Sequence, residues 1–239
     1  MKALLESNIR SLKNNRYPGR GIVLGKSLDL RNYIQVYWIM GRSENSRNRL
    51  FVRENGSVKT EAFDKSKVTH PLLIIYYPVK AFGSCHIVSN GDQTDTILDG
   101  LKKGETFESA LNTRTFEPDA PHYTPRISGI VDLKDRAHDY RLSILKPVCG
   151  HPGCCSRQFF NYEKAMPGVG HCIHTYAGDG DPLPAFTGEP YTVELFDDID
   201  ETARFYWETL NADNRISLLV KFIDAETGET DLRIVNKNR

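Results

Sequence analysis

The chain has 239 residues, of which 39% are hydrophobic and 26% charged, with Lys+Arg and Asp+Glu both numbering 31. That apolar share excludes a disordered chain, and the balanced charge excludes a global field drawing it to nucleic acid or an anionic membrane. No apolar run approaches the roughly 20 residues of a bilayer helix, the N-terminus has no apolar segment with a cleavage site, and the five cysteines have no framework spacing. A cytoplasmic protein with reduced thiols is expected.

Apolar spacing at Leu4, Leu5, Ile9 and Leu12 predicts a helix over 3–13, an appendage (residues 1–15) laid over the core. Strand patterns follow at "GIVLGK", "YIQVYWIM", "RLFVRE", "SVKTEAF", "LLIIYY" and "CHIVS", and Asn55-Gly56 between the third and fourth is a hairpin signal. Helices are predicted over about 93–103 and 106–113, then strands at "RISGIVDL", "YRLSILKP" and "GHCIHTY". The helix "DETARFYWETLN" opens with acidic residues suited to its N-terminal dipole, and "RISLLVKFID" with "TDLRIVN" reads as a closing hairpin around Glu-Thr-Gly. Short connections between consecutive strands favour an α+β sandwich of largely antiparallel sheets covered by helices, in one domain spanning 1–239.

The stretch "IVSNGDQTDTI" (87–97) is a strand exit feeding directly into a helix. Asn90 and Gly91 fall in the turn, and Asp92 or Thr94 is placed to cap the helix. Free backbone N–H groups at such a turn can also bind an anion or a polar ligand, with Gly91 allowing close approach. Both readings, cap and site, stand on residue chemistry alone.

"VSNGDQTDTI" (88–97), "TPRISGI" (124–130) and "GRSENSRNR" (41–49) together resemble the archaeal-type IMP cyclohydrolase family, from "YPGRGIVLG" at 17 to about residue 131 and more weakly through "CIHTY" at 172–176. The resemblance implies a four-layered αββα core similar to the N-terminal-nucleophile hydrolases. It also implies closure of 5-formamidoimidazole-4-carboxamide ribonucleotide to IMP with loss of water. A carboxamide nitrogen attacks a formyl carbon of the same molecule, so holding one conformer lowers much of the barrier. What remains is proton traffic and oxyanion stabilisation, which calls for no covalent intermediate, metal or cofactor.

The matched motifs supply the candidates. Arg42, Ser43, Asn48 and Arg49 come from the second-strand exit, where a guanidinium suits a nucleotide phosphate or an oxyanion. Counting back from "VSNG" without a gap places the family's catalytic tyrosine at Tyr76. Tyr77, on the opposite face of a strand, is the reserve, and Lys80 is a further nearby cation. Asn90, Gly91, Thr94 and Asp95 come from the polar turn and the helix start. Glu117 matches an acidic position and Asp119 lies near a second, and Arg126 follows to bind substrate or pair with an acid. Arg49, Tyr76, Asn90 and Glu117 are taken as catalytic, the others as substrate-binding.

Residues 146–170 match nothing in the family. Cys149, His151, Cys154, Cys155, His171, Cys172 and His174 invite a zinc reading, but no paired C-x₂-C spacing supports it. Met-Lys-Ala-Leu stands ahead of the first core strand where a processed nucleophile would be, so neither autoprocessing nor an acyl-enzyme is expected. An amide hydrolase on the same fold would need Cys85 or Cys149 as nucleophile. A non-catalytic purine-nucleotide binder would keep the turn and the arginines. The partner expected is a small purine nucleotide, with neither nucleic acid nor membrane, and the sequence leaves homo-oligomerisation open.

Overall fold

A computed structural model describes residues 1–68 and 75–238. Two large sheets dominate. The six-stranded sheet has the order β11–β10–β1–β2–β12–β13, built from β1 (Gly21–Lys26), β2 (Asn32–Met40), β10 (Val169–His174), β11 (Tyr191–Glu194), β12 (Arg215–Asp224) and β13 (Thr230–Asn236). The seven-stranded sheet is a meander in chain order: β3 (Leu50–Glu54), β4 (Ser57–Glu61), β5 (Val79–Phe82), β6 (Cys85–Ser89), β7 (Arg126–Asp132), β8 (Tyr140–Val148) and β9 (His151–Tyr162). Neighbouring strands pair antiparallel throughout. The chain is therefore α+β, as its short connections predict.

The period-2 alternation of β2 explains the packing. Tyr33, Tyr37 and Ile39 point between the sheets, meeting Ile22, Leu24, Phe51, Val88, Ile127 and Leu219. Ile34, Val36, Trp38 and Met40 point the other way, into a second cluster with Leu12, Ile199, Ala203 and Tyr206. That cluster is closed by helix α1 (Lys2–Asn14) and by helix α5 (Ile199–Thr209), which Asp198 caps through Glu201 N–H at 2.6 Å. On the far side, α3 (Gln93–Lys102) and α4 (Phe107–Asn112) bury Ile97, Phe107 and Leu111 against Ile87, Ile130 and Leu145 of the seven-stranded sheet. With both faces covered, β1, β2 and β12 read as near-continuous apolar runs rather than alternating ones.

Local expectations meet the structure in detail. Asn55 and Gly56 take φ of 49° and 76°, the left-handed pair of a two-residue hairpin between β3 and β4. In α1, Leu5 and Leu12 are buried while Leu4 is 52% exposed, so the apolar stripe is narrower than the sequence suggests. The predicted strand "LLIIYY" lies partly outside the described residues. Its last three, Ile75–Tyr77, are not in a strand, and the strand comes later, at Val79. Two strands without a clear sequence pattern, β9 and β11, complete the sheets; β9 and the end of β8 account for most of segment 146–170. No helix among the described residues is long and apolar enough to cross a membrane.

Candidate functional site

Just ahead of β1, Gly19 takes φ +75°, and a Cβ there would lie 2.2 Å from Thr175 Oγ1 and 2.5 Å from the Tyr176 ring. Only glycine lets the backbone pass so close. The passage delivers Arg20 to the interior, where its Nη2 donates to Glu117 Oε2 at 3.0 Å, both side chains being buried. Glu117 comes from the loop before β7, so the pair joins the six-stranded sheet to the seven-stranded one.

Around this pair lies a cavity of about 250 Å³. Of the residues expected from sequence, Arg42, Ser43, Arg49, Glu117 and Asp119 line it. The structure adds Arg20, Tyr17, His122, Thr124 and Tyr176. Arg42 sits over the Tyr17 ring at 4.9 Å and pairs with Asp179, and Tyr17 in turn stacks on Tyr176. Ser43 caps the short helix α2 (Glu44–Arg47) by accepting from Ser46 N–H. Arg49 is held by two backbone carbonyls, Ser46 O at 2.8 Å and Met40 O at 3.1 Å, which aims the guanidinium before any ligand arrives. Asp119 accepts from Thr124 N–H at 2.7 Å and also from the Thr124 hydroxyl, folding the acid loop onto itself.

The charges are unequal in their surroundings. Burial pushes the Glu117 carboxyl above its ordinary range, against the pull of Arg20 and Arg126, with Asp119 adding to the rise. Burial alone would lower the proton affinity of Arg20, but Glu117 and the phenols of Tyr76, Tyr176 and Tyr37 more than offset it, so the guanidinium stays charged. The cavity thus combines a fixed cation with a carboxyl whose proton is unusually easy to keep.

Tyr76 and Tyr77 part as adjacent residues of an extended segment must. Tyr76 is buried and does not line the cavity; its Oη lies 2.6 Å from that of Tyr37, and it is within electrostatic reach of Arg20. Tyr77 bonds Glu54 at the surface with Lys80 over its ring at 4.2 Å, and Lys80 pairs with exposed Asp95. Asp95, Lys80 and Tyr77 therefore belong to a surface cluster away from the cavity.

The polar turn after β6 has its own partners. Asn90 is fully buried: its Oδ1 accepts from Ile127 N–H and Gln93 Nε2, both at 2.8 Å, and its Nδ2 donates to Pro125 O at 2.9 Å. The side chain thereby extends the β6–β7 pairing by one rung and anchors the end of the acid loop. Thr94 bonds Ser89 and Gly91 O. Asp92 precedes α3 but makes no side-chain cap; its carboxylate pairs with Arg114 and Arg126 instead. Gly91 leaves space that Arg126 occupies, since a Cβ there would lie 2.8 Å from Arg126 Nη1 and 3.5 Å from Glu117 Oε1. Asn48 is a brace, exchanging two 2.7 Å bonds with the backbone of Asp64.

The cysteines are separate from the site. Cys85 is half-buried beside Asp132, and burial first, then that carboxylate, pushes its thiol up to about 11, which disfavours the thiolate a nucleophile needs. Cys149 occupies the exposed β8–β9 turn. Among the described residues no three His, Cys, Asp or Glu side chains gather as a metal-binding group.

A buried carboxyl–guanidinium pair, with two further arginines and the phenols of Tyr17 and Tyr176 lining the same cavity, is an arrangement that can hold an anion and move a proton. A family model for IMP cyclohydrolase-like proteins matches residues 17–228, and the chain belongs to that family. The match runs through 146–170 and begins after α1. Similar relatives include the IMP cyclohydrolase of Methanopyrus kandleri, 36% identical over 163 residues covering 67% of this chain and 75% of that protein. Those of Methanococcus maripaludis and Methanothrix thermoacetophila are 34% and 31% identical over 126 and 134 residues, covering about half of this chain. In those two alignments the chain spans 61% and 64% of the relative's length.

Proposed function

We propose that the chain closes 5-formamidoimidazole-4-carboxamide ribonucleotide to IMP, releasing water. The observation that carries this reading is the convergence of Arg42, Arg49 and Glu117, from two separate matched stretches, on one polar cavity with Arg20. Arg42 and Arg49, the latter braced by backbone carbonyls, suit the ribonucleotide phosphate or a developing oxyanion. Glu117 takes the carboxamide proton as the nitrogen attacks the formyl carbon, and Arg20 keeps it oriented. Tyr76 gives its proton to the oxygen that leaves as water. Asn90, Gly91 and Arg126 fix the acid loop, and Asp119 with Thr124 shapes its turn. Atoms and charge balance without a covalent intermediate: one proton leaves the carboxamide nitrogen and one the formamide nitrogen, both end on the departing oxygen, and a new C–N bond and a C=N bond replace the formyl C=O.

We also read the helix–sheet–sheet–helix order as the four-layered αββα sandwich similar to that of N-terminal-nucleophile hydrolases, in one domain. Three separate apolar clusters, one between the sheets and one under each helix pair, support it. The test is an absorbance assay for ring closure with the authentic substrate. Turnover is expected without any added nucleotide cofactor. Stabilisation by IMP without turnover would make the protein a nucleotide binder instead.

A further inference from the structure

Tyr37 stands in the middle of β2, wholly buried between the sheets. Its ring contacts Phe51 at 5.7 Å and shares its apolar cluster with Ile22, Ile39 and Leu219. A tyrosine there buries a hydroxyl that phenylalanine would not carry, and such a group costs free energy unless bonded. Among the described residues the hydroxyl has one hydrogen-bond partner, the Tyr76 phenol at 2.6 Å. Tyr76 is fixed from its backbone as well: its N–H donates to Thr60 Oγ1 at 2.8 Å, and its carbonyl accepts from Thr60 N–H at 2.8 Å. Arg20, at the cavity wall, lies within electrostatic reach of both phenols, and Arg49 of Tyr37.

Among the described residues the two hydroxyls bond each other, through one hydrogen bond in which either can be the donor. If Tyr76 turns its proton toward the cavity, the bond can survive only with Tyr37 as donor. We propose that Tyr37 is a positioning residue for ring closure: it donates to Tyr76 Oη, directs the Tyr76 proton into the cavity and stabilises the phenolate formed as that proton leaves. The proposal rests on Tyr76 being the proton donor. In the step itself the Tyr76 O–H bond breaks, an O–H bond forms on the departing hydroxyl, and the C–O bond breaks to release water as the formamide nitrogen loses its proton and a C=N bond forms. Tyr37 keeps its own proton throughout, the proton that Glu117 took from the carboxamide nitrogen having made the formyl oxygen a hydroxyl, and Tyr76 recovers the one that leaves the formamide nitrogen. Burial holds the Tyr37 hydroxyl far above the ordinary phenol range, with Tyr76 the next contributor, so it remains a donor at any working pH.

The experiment compares Tyr37→Phe, Tyr76→Phe and the double variant in the ring-closure assay across pH, with melting temperature measured on each. Tyr37→Phe should lower kcat about 10- to 100-fold, the scale of a hydrogen bond to a charged group, with KM nearly unchanged. The alkaline limb of its kcat profile should move to higher pH, and the double variant should be no slower than Tyr76→Phe alone. Normal kcat and an unmoved limb in Tyr37→Phe, alongside an impaired Tyr76→Phe, would reduce Tyr37 to packing and overturn the inference alone. Full turnover in Tyr76→Phe would instead overturn the donor assignment, and Tyr37 with it. Should Tyr37→Phe fail to fold, 3,5-difluorotyrosine at position 37 keeps the shape and strengthens the donor. There the limb should move to lower pH, and an unmoved limb would overturn the inference.

Discussion

At the scale of single residues, Glu117 and Asn90 show two ways a polar side chain can occupy the interior. Glu117 is paired on one side and faces a cavity on the other, and burial makes its proton hard to lose. As a general base it works only when ionised. The kcat/KM profile should therefore fall on the acid side with a midpoint above the ordinary glutamate value of about 4.3. Glu117→Gln should lower kcat by about 10²-fold or more and abolish that limb, read by ring-closure rates across pH. Asn90 spends its amide on Pro125, Ile127 and Gln93. Asn90→Ala leaves a buried N–H and a buried carbonyl unpaired, so a loss of about 2 kcal/mol or more is expected by denaturant titration. Its kcat should fall too, because the anchored loop carries Glu117. An unchanged kcat would separate the anchor from the acid. The polar character of "SNGDQTD" thus has a physical source in strand bridging.

At the scale of elements, what was legible in the sequence depends on how strictly each segment obeyed its period. β1, β2, β6, β7, β8, β12 and the α3–α4 pair stood out because their apolar patterns and turn residues agreed. β9 escaped because its residues are exposed or half-buried along its length, so no face is written in apolar residues. Arg20 escaped for a different reason. It lies inside a matched stretch, but a lone arginine beside a strand carries no mark of burial. The better signal was its neighbour Gly19, a glycine flanked by Pro18 and Arg20 where the chain must pass Thr175. Gly19→Ala combines a left-handed φ with a contact far inside van der Waals range. It should destabilise the fold by more than about 2 kcal/mol and displace Arg20, visible together as a lowered melting temperature and lost activity.

For the whole molecule, protonation of buried and half-buried imidazoles should set the acid limit of stability. His86, His171 and His174 are each lowered to about 4, burial being the largest cause and Lys221 adding to it at His86. His171 takes part in a 2.7 Å bond with Tyr140, and His174 donates to Tyr176 O at 2.9 Å. Folded values below unfolded ones mean that the unfolded chain takes up these protons first. Their contribution to stability is complete above about pH 6.5 and is lost as pH falls toward 4. Three such groups give a slope of up to about 4 kcal/mol per pH unit within that window, measurable by urea titration at stepped pH. The Arg20–Glu117 pair has a consequence in time rather than in energy. Its two members reach the cavity on different sheets, so neither sheet alone can hold the site. During refolding, far-UV signal should return as each sheet forms, while enzymatic turnover waits for the sheets to dock. The lag between the two traces would then clock that docking event directly.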